Sequence, residues 1–122
     1  MIKKNLTCVL LGTAISMALA TTTHARVQEC RASWYGPGFH GNTMANGQRF
    51  DQNDPTHLAH KSLPFGTTIK VTNLQNGRSI IARVTDRGPY VKGRCVDLSK
   101  AGAEQLGFLS RGHAPVRVET LN

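Results

Sequence analysis

Apolar residues in this chain occur in short runs, most of them ended by glycine, proline or asparagine, and this pattern predicts strands joined by turns. The clearest pair of runs spans residues 67–73 and 79–86, with Gln75-Asn76-Gly77 between them. Asn-Gly is a strong hairpin signal. Polar and apolar residues alternate in this hairpin, so one of its faces is expected to be wet. Within the second arm, residues 80–84 are rich in β-branched side chains and indicate a buried strand.

Shorter runs extend the pattern on both sides of the hairpin. Residues 26–29 form a polar lead-in, and strands are expected at residues 32–36, 94–97 and 116–119. Residues 37–47 are rich in glycine and asparagine and are expected to form a loop. Because all these segments are short, the chain offers many strands and little helix.

One helix is predicted over residues 99–106, because Ser99 is a good N-cap and Gly107 can end the helix. About six short strands with so little helix favour a small, mainly β barrel over layers of alternating strands and helices. The fold class expected from the pattern is therefore a single β-barrel domain.

The run from Thr85 to Ser99 carries most of the functional signal. Asp86 stands where a strand gives way to a turn, and Gly88 and Pro89 make that turn rigid. A carboxylate held at the rim of a sheet is well placed for acid–base chemistry on a ligand lying across the rim. The alternative is a turn aspartate that binds its own backbone.

The N-terminal residues have the pattern of a secretory signal peptide. Lys3 and Lys4 precede an apolar stretch at residues 6–20, and small side chains lead up to Ala25. We expect residues 1–25 to be the signal peptide and residues 26–122 the mature domain, with cleavage after Ala20 as the alternative. A membrane anchor is the other interpretation, but the stretch is shorter than the ~20 apolar residues of a span.

Neither Cys8 nor Cys30 stands in a bacterial lipoprotein site, so no lipid anchor is expected. The protein is therefore expected to be exported, periplasmic or secreted, without a stable membrane anchor. Cys30 and Cys95 remain after cleavage, and an even pair in an oxidising compartment favours a disulfide. Two buried free thiols are the alternative.

The formal net charge of the whole chain is +8, and removal of the signal peptide takes away the two lysines Lys3 and Lys4. A basic exported domain would be attracted to anionic polymers such as the cell wall. Nucleic acid fits the charge but not export, and the sequence has no recognisable nucleic-acid module. The basic residues are scattered, so a merely solvated surface is also consistent with them. We expect a monomer.

Two further pairs of residues bear on ligand binding. Trp34 and Tyr35 are adjacent in a predicted strand and should point to opposite faces, one inward and one toward a groove where a ring could stack on a sugar. Core packing of both is the alternative. His57 and His60 have helical spacing but no third ligand nearby, so neither a metal site nor a cofactor is expected.

A series of motifs occurs in a distinctive order: Ala32-Ser33-Trp34-Tyr35-Gly36, Phe39-His40-Gly41, Ala45-Asn46-Gly47, Arg49-Phe50-Asp51, Ala59-His60-Lys61, Leu63-Pro64-Phe65-Gly66-Thr67, Val71-Thr72-Asn73-Leu74, Asn76-Gly77 and Asp86-Arg87-Gly88-Pro89. In this order they resemble the rare lipoprotein A (RlpA) family over nearly the whole mature chain. The resemblance implies a six-stranded double-psi β-barrel with one or two short helices. It also implies a lytic transglycosylase that cleaves the glycan strands of peptidoglycan, with denuded strands preferred.

The resemblance also implies site residues. Asp86 matches the family's catalytic acid, and His60 matches a histidine of the same groove. Gln48 stands where the family carries a carboxylate, so this chain departs from the pattern there. Gln48 can still hydrogen-bond substrate, and the residues themselves add Trp34, Tyr35, His40, Lys61 and Arg87 as expected substrate contacts. A solvated surface position is the alternative for His40, Lys61 and Arg87, and a structural histidine is the alternative for His60.

Lytic transglycosylation suits this set of residues. The sugar's own 6-hydroxyl attacks C1 and gives a 1,6-anhydro-muramyl end, so one carboxyl can act first as acid and then as base, whereas hydrolases normally need two. The alternative is a non-catalytic, expansin-like protein that binds or loosens the wall, which the amide of Gln48 favours. A barwin-like defence or inhibitor protein is a third class. Anhydro-muramyl products would distinguish the enzyme from the binding protein.

Overall fold

The structure is a computed structural model that describes residues 26–122, so the predicted signal peptide at 1–25 lies outside the described residues. The elements in chain order are β1 (Val27–Trp34), β2 (His57–His60), β3 (Thr68–Asn73), β4 (Ser79–Asp86), β5 (Arg94–Leu98), α1 (Lys100–Leu106) and β6 (His113–Thr120). No helix among residues 26–122 is both long and apolar enough to cross a membrane.

The six strands close into a barrel in the order β1-β5-β2-β4-β3-β6. Strand pairs β1–β5 and β2–β4 are parallel, and the other four pairs are antiparallel. Closure leaves no free sheet edge, which removes the exposed backbone groups that an open sheet of this size would present. The mainly β, six-stranded barrel with one short helix confirms the predicted fold class.

The barrel interior follows the alternation seen in the predicted hairpin. Ile69 and Val71 of β3 and Val84 of β4 are fully buried. The polar residues between and before them, Lys70, Thr72 and Arg83, are partly or fully exposed. Residues 80–84 do not form a strand buried on both faces, because Ile81 is 57% exposed. One apolar face of β4 thus fills the core, as period-two geometry requires, and the other meets solvent.

The first strand is longer than its sequence pattern indicates. The sequence predicts only a polar lead-in at residues 26–29, but Val27 begins β1 and has Glu119 of β6 as its register partner. Most side chains at this end of β1 are exposed, so backbone pairing holds the strand and little apolar signal marks it. Helix α1 matches its prediction, because the Ser99 hydroxyl accepts a hydrogen bond from the Gly102 amide and Gly107 takes the left-handed conformation at φ 81°.

A disulfide joins the neighbouring strands β1 and β5. It links Cys30 to Cys95, whose Cα atoms are 5.9 Å apart, and it closes a loop with a sequence separation of 65 residues. Because β1 and β5 pair in parallel, they are far apart in sequence although adjacent in space. The covalent link therefore holds together two strands that no short turn connects.

Candidate active site

An open cavity of about 570 Å³ lies beside the last residues of β1 and β4 and along β5. The loop after β1 and the turn after β4 complete its lining. The lining residues are Ser33, Trp34, Tyr35, Phe39, Asn42, Thr43, Met44, Phe50, Asp86, Arg87, Gly88, Pro89, Tyr90, Val91, Arg94 and Asp97. Two carboxylates, two guanidinium groups and several aromatic rings thus share one concave surface.

Asp86, the last residue of β4, is held in this cavity by three hydrogen bonds. The Tyr35 hydroxyl donates to Oδ2 at 2.6 Å, and the Ala45 and Arg87 amides donate to Oδ1 at 2.8 Å and 2.9 Å. The bond from Arg87 is the local turn contact that a structural aspartate would make. The other two come from distant segments, so they fix the carboxylate direction relative to the whole cavity.

Tyr35 positions Asp86 through a protonated hydroxyl. Its ring stacks on Phe50 with centroids 4.1 Å apart, which sets the direction of the hydroxyl. Burial, followed by the hydrogen bond to Asp86 and the negative charges of Asp86 and Asp97, raises the pKa of Tyr35 far above its ordinary value. The hydroxyl is therefore a permanent donor to Asp86 over any physiological pH.

Asp97 of β5 is a second carboxyl group in the cavity, at a position for which the sequence pattern predicts no functional role. The Ser33 hydroxyl of β1 donates a hydrogen bond to its Oδ1, as expected from their position as register partners. Burial raises the pKa of Asp97 above its ordinary value and the charge of Asp86 adds to this, against the Ser33 hydrogen bond and the charge of Arg94. An aspartate between Val96 and Leu98 in an apolar strand was the signal available for it.

The two cavity arginines differ in what holds them. Arg87 donates from Nη1 to the backbone oxygens of Leu63 at 2.8 Å and His60 at 3.2 Å, and its guanidinium lies 4.1 Å from the centroid of the Phe65 ring. It therefore braces the segment after β2. Arg94, at the start of β5, makes no side-chain hydrogen bond or ion pair within residues 26–122.

The side chain of His60, the predicted second groove residue, does not line the cavity that holds Asp86. It is only 6% exposed, and its Nδ1 accepts the amides of Ser62 and Leu63, each at 3.1 Å. Its Nε2 lies 3.4 Å from Oε1 of Gln28, beside a separate pocket. Burial and then the charges of Arg87 and Lys61 lower the pKa of His60. The ring caps the chain after β2 as a neutral group.

The other predicted substrate contacts divide into two groups. Trp34 and Tyr35 both line the cavity, because the chain turns at the end of β1 rather than continuing as a strand. Gln48, His40 and Lys61 are exposed and do not line it. Within the part of the chain that the structure describes, no group of three or more His, Cys, Asp or Glu side chains is arranged to hold a metal ion.

Gln48 belongs to a turn at the rim of the cavity. The Asn46 amide group donates to its Oε1 at 2.9 Å, and its own backbone amide bonds to Asn46 Oδ1 at 3.0 Å. The same turn is tied to the barrel through the backbone N–H of Asn46, which donates to the backbone carbonyl oxygen of Thr85 at 3.2 Å. The side chain at position 48 thus supports the turn that delivers the Ala45 amide to Asp86.

A family model described as lytic transglycolase matches residues 27–118. The chain belongs to this family. The match covers β1 to β5, the helix and all but the last two residues of β6, and it includes both cavity carboxylates.

Curated proteins similar to this lytic transglycolase family member carry the name RlpA, which confirms the resemblance found in the motifs. The probable endolytic peptidoglycan transglycosylase RlpA of Synechocystis is 51% identical over 100 residues, covering 82% of this chain and 31% of that protein. The endolytic peptidoglycan transglycosylase RlpA of Campylobacter jejuni is 53% identical over 90 residues, covering 74% of this chain and 32% of that protein. The chain therefore spans about a third of the length of these relatives.

Solved structures give the same fold. The barrel is similar to the ligand-free expansin of Clavibacter michiganensis, with a TM-score of 0.62 and 25% sequence identity, over 80% of this chain and 51% of that one. This family member thus has the double-psi β-barrel that its motifs imply.

Proposed function

We propose that this lytic transglycolase family member cleaves the glycan strands of peptidoglycan by lytic transglycosylation, outside the cytoplasm, and that the cavity around Asp86 and Asp97 is its active site. The observation that supports this most is the pair of carboxyl groups in one open cavity with different surroundings. Asp86 accepts three hydrogen bonds, whereas Asp97 is half-buried and burial raises its pKa. Two carboxyls in contrasting environments are typical of an acid and base pair.

We assign the acid role to Asp97. A raised pKa brings an aspartic acid closer to the working pH, which suits proton donation to the glycosidic oxygen as the bond from that oxygen to C1 of the muramyl residue breaks. Asp86, oriented by the Tyr35 hydroxyl, faces the positive charge that develops at C1. This differs from the sequence-based expectation that Asp86 is the acid.

The second half of the reaction needs a base. The 6-hydroxyl of the muramyl residue attacks C1 and gives up its proton to Asp86, which closes the 1,6-anhydro ring. The leaving sugar keeps the proton from Asp97 as a new 4-hydroxyl group. Exchange with solvent then returns a proton to Asp97 and removes one from Asp86, so the enzyme is regenerated without consuming water.

Aromatic rings in the lining provide surfaces for the sugars on either side of the cleaved bond. Tyr90 is 78% exposed and Phe39 is 46% exposed, although both line the cavity. A large exposed ring is costly to leave in water and offers a flat apolar face to a pyranose. Trp34 lies deeper, packed partly against the core. We propose these three rings as the glycan contacts, together with the predicted Tyr35.

Product analysis tests this proposal directly. Purified peptidoglycan strands incubated with the protein should yield fragments with 1,6-anhydro ends, which are lighter by one water than hydrolysis products in mass spectra. Asp86→Asn and Asp97→Asn proteins serve as matched controls, and neither should form these fragments. Fragments with reducing muramyl ends would show a hydrolase instead and would overturn the mechanism.

A non-catalytic wall-loosening protein is the second candidate. It is favoured by the absence of a carboxylate at Gln48 and by the similarity of the barrel to an expansin. Such a protein would bind the strands without releasing any fragment. Binding of strands by wild-type protein, with no new chain ends after prolonged incubation, would establish this candidate and exclude the enzyme.

A further inference from the structure

Arg94 is a cation in the cavity whose side-chain donors have no partner among the residues that the structure describes. It stands at the start of β5, half-buried, and lines the cavity together with Asp86 and Asp97. Across residues 26–122, its guanidinium group makes neither a hydrogen bond nor an ion pair. A half-buried guanidinium with five unused donors is a strong site for a planar oxyanion.

The other cations near the cavity do not offer the same site. The Nη1 of Arg87 already donates to two backbone oxygens, and its guanidinium lies against Phe65. Lys61, a predicted substrate contact, is exposed and does not line the cavity. Among these cations, Arg94 is therefore the one available to bind an anionic group of a substrate in the cavity.

The cavity also creates a need for such a partner. Asp86 places a negative charge where the substrate must lie, and a substrate carboxylate would be repelled by it at close range. Every second sugar of a peptidoglycan strand is a muramyl residue with a lactyl group. That group ends in a free carboxylate when no peptide is attached and in a neutral amide when a peptide is attached.

We infer that Arg94 binds the free lactyl carboxylate of a muramyl residue and is the residue by which this site distinguishes peptide-free strands from peptide-substituted ones. The inference rests on the proposed function for the identity of the substrate. It assigns a specificity role to a residue outside the acid and base pair. A bidentate guanidinium–carboxylate contact would also fix the register of the strand, because the lactyl group occurs once in each disaccharide.

A purely internal role for Arg94 is the competing explanation. Its charge opposes the raised pKa of Asp97, so its removal could alter turnover with no contact to substrate. Turnover alone cannot separate the two roles. Changing the charge of the substrate can separate them, because the effect of a purely internal role would not depend on whether the substrate carries a carboxylate.

The test compares the affinity of two ligands prepared from one batch of peptide-free strands. One keeps its lactyl carboxylates, and in the other they are converted to methylamides. Binding is measured by calorimetry with the Asp86→Asn protein, in which the strands are not consumed. With Arg94 present, the native strands should bind ~10- to 100-fold more tightly than the amidated ones, the range for hydrogen bonds to charged groups.

Substitution at position 94 should remove this preference. In an Asp86→Asn background, Arg94→Gln should bind both ligands with the affinity that the amidated strands already have, and Arg94→Lys should keep part of the preference. Arg83→Gln, the matched control, removes one positive charge from the exposed face of β4 and should keep the full preference for native strands. Circular dichroism and thermal unfolding check that each variant is folded.

The outcomes remain separate from those for the proposed function. An unchanged preference in Arg94→Gln, or no preference with Arg94 in place, would overturn the inference even if anhydro products form. A preference that depends on Arg94 would support it even if the wild-type protein releases no product. If Arg94→Gln does not fold, the inference is still tested by comparing native with amidated strands on the protein with Arg94 and on Arg94→Lys.

Discussion

Asp86 of β4 and Asp97 of β5 lie on either side of a single residue, Ala59 of β2, which is the register partner of both. Strand β2 lies between β4 and β5 in the barrel, so the two aspartates are separated by two strand spacings, roughly 10 Å between backbones. A register shift of one residue in either pair would turn one carboxyl away from the cavity. The acid and base pair is therefore a product of barrel closure.

Removal of the acid should abolish turnover while preserving the fold. We expect Asp97→Asn to lower the rate of anhydro-end formation by ~10²- to 10⁴-fold, the usual contribution of a general acid. Asparagine keeps an oxygen for the Ser33 hydroxyl, so the thermal midpoint should not fall. Glu104→Gln, an exposed change on helix α1, is the matched control. Full activity in Asp97→Asn would remove Asp97 from the mechanism.

The hydroxyl of Tyr35 can be tested without disturbing its ring. Tyr35→Phe keeps the stack on Phe50 and deletes only the donor to Asp86. Hydrogen bonds to charged groups are worth about 1.5–3 kcal/mol, so we expect kcat to fall by ~10- to 100-fold. KM should change little, because Tyr35 acts here by positioning Asp86. Tyr90→Phe is the control, because it removes the hydroxyl of an exposed tyrosine, and it should change neither kcat nor KM. A rise in KM with kcat unchanged would show that the hydroxyl binds sugar instead.

His60 should make stability depend on pH. Because its pKa is lowered from 6.5 in the folded protein, the unfolded chain binds more protons in the interval below 6.5. The stability that neutral His60 contributes is therefore complete above that value and is lost as pH falls through the lowered pKa. We expect His60→Asn, whose Oδ1 can accept the Ser62 and Leu63 amides, to lose less stability on acidification. Denaturant titrations over a pH series measure the slope, with His40→Asn at an exposed site as control. An identical slope in His60→Asn and wild type would contradict the role.

The disulfide should matter for stability and for the cavity. Cross-linking across 65 residues stabilises a chain by about 4 kcal/mol in the chain-entropy model. We expect the double variant Cys30→Ser, Cys95→Ser to lose roughly that much stability, measured by urea denaturation. The strands it joins carry Ser33 and Asp97, so turnover should fall as well. Thiol titration of the denatured, unreduced protein should detect neither Cys30 nor Cys95, and two reactive thiols would contradict the disulfide.

The hairpin, the helix with both caps and the β class follow from local sequence, because each depends on neighbouring residues. The β3–β4 turn has its Asn-Gly signal, and Ser99 and Gly107 mark the ends of α1. The parallel pairs β1–β5 and β2–β4 have no such signal, since their partners are distant in sequence. The path of the barrel came from the resemblance and not from the pattern of residues.

The same distinction applies to the site. Asp86 could be selected because a local turn marks it, whereas Asp97 interrupts an apolar strand and gains its meaning only from Ser33 and Asp86 across the barrel. The match to the family motif places His60 in the groove, but a motif does not determine the direction of a side chain. Its ring turns toward the amides of its own loop, which pattern alone could not show.

Gln48→Glu tests whether the position at which this chain departs from the RlpA pattern limits its chemistry. The side chain of Gln48 is exposed, bonds to Asn46 within its own turn and does not line the cavity. Asp97 already supplies a second carboxyl beside Asp86, so a glutamate at 48 adds no missing group. We therefore expect the variant to change the rate of anhydro-end formation by far less than the ~10²-fold minimum of a general acid or base. Its pH optimum should stay where the wild type has it.

Gln52→Glu, a matched change in the adjacent loop, controls for the added charge. A rise of ~10²-fold or more in Gln48→Glu alone would show that position 48 carries an essential carboxylate when one is present, and the acid and base pair would then be Asp86 with residue 48 in place of Asp97.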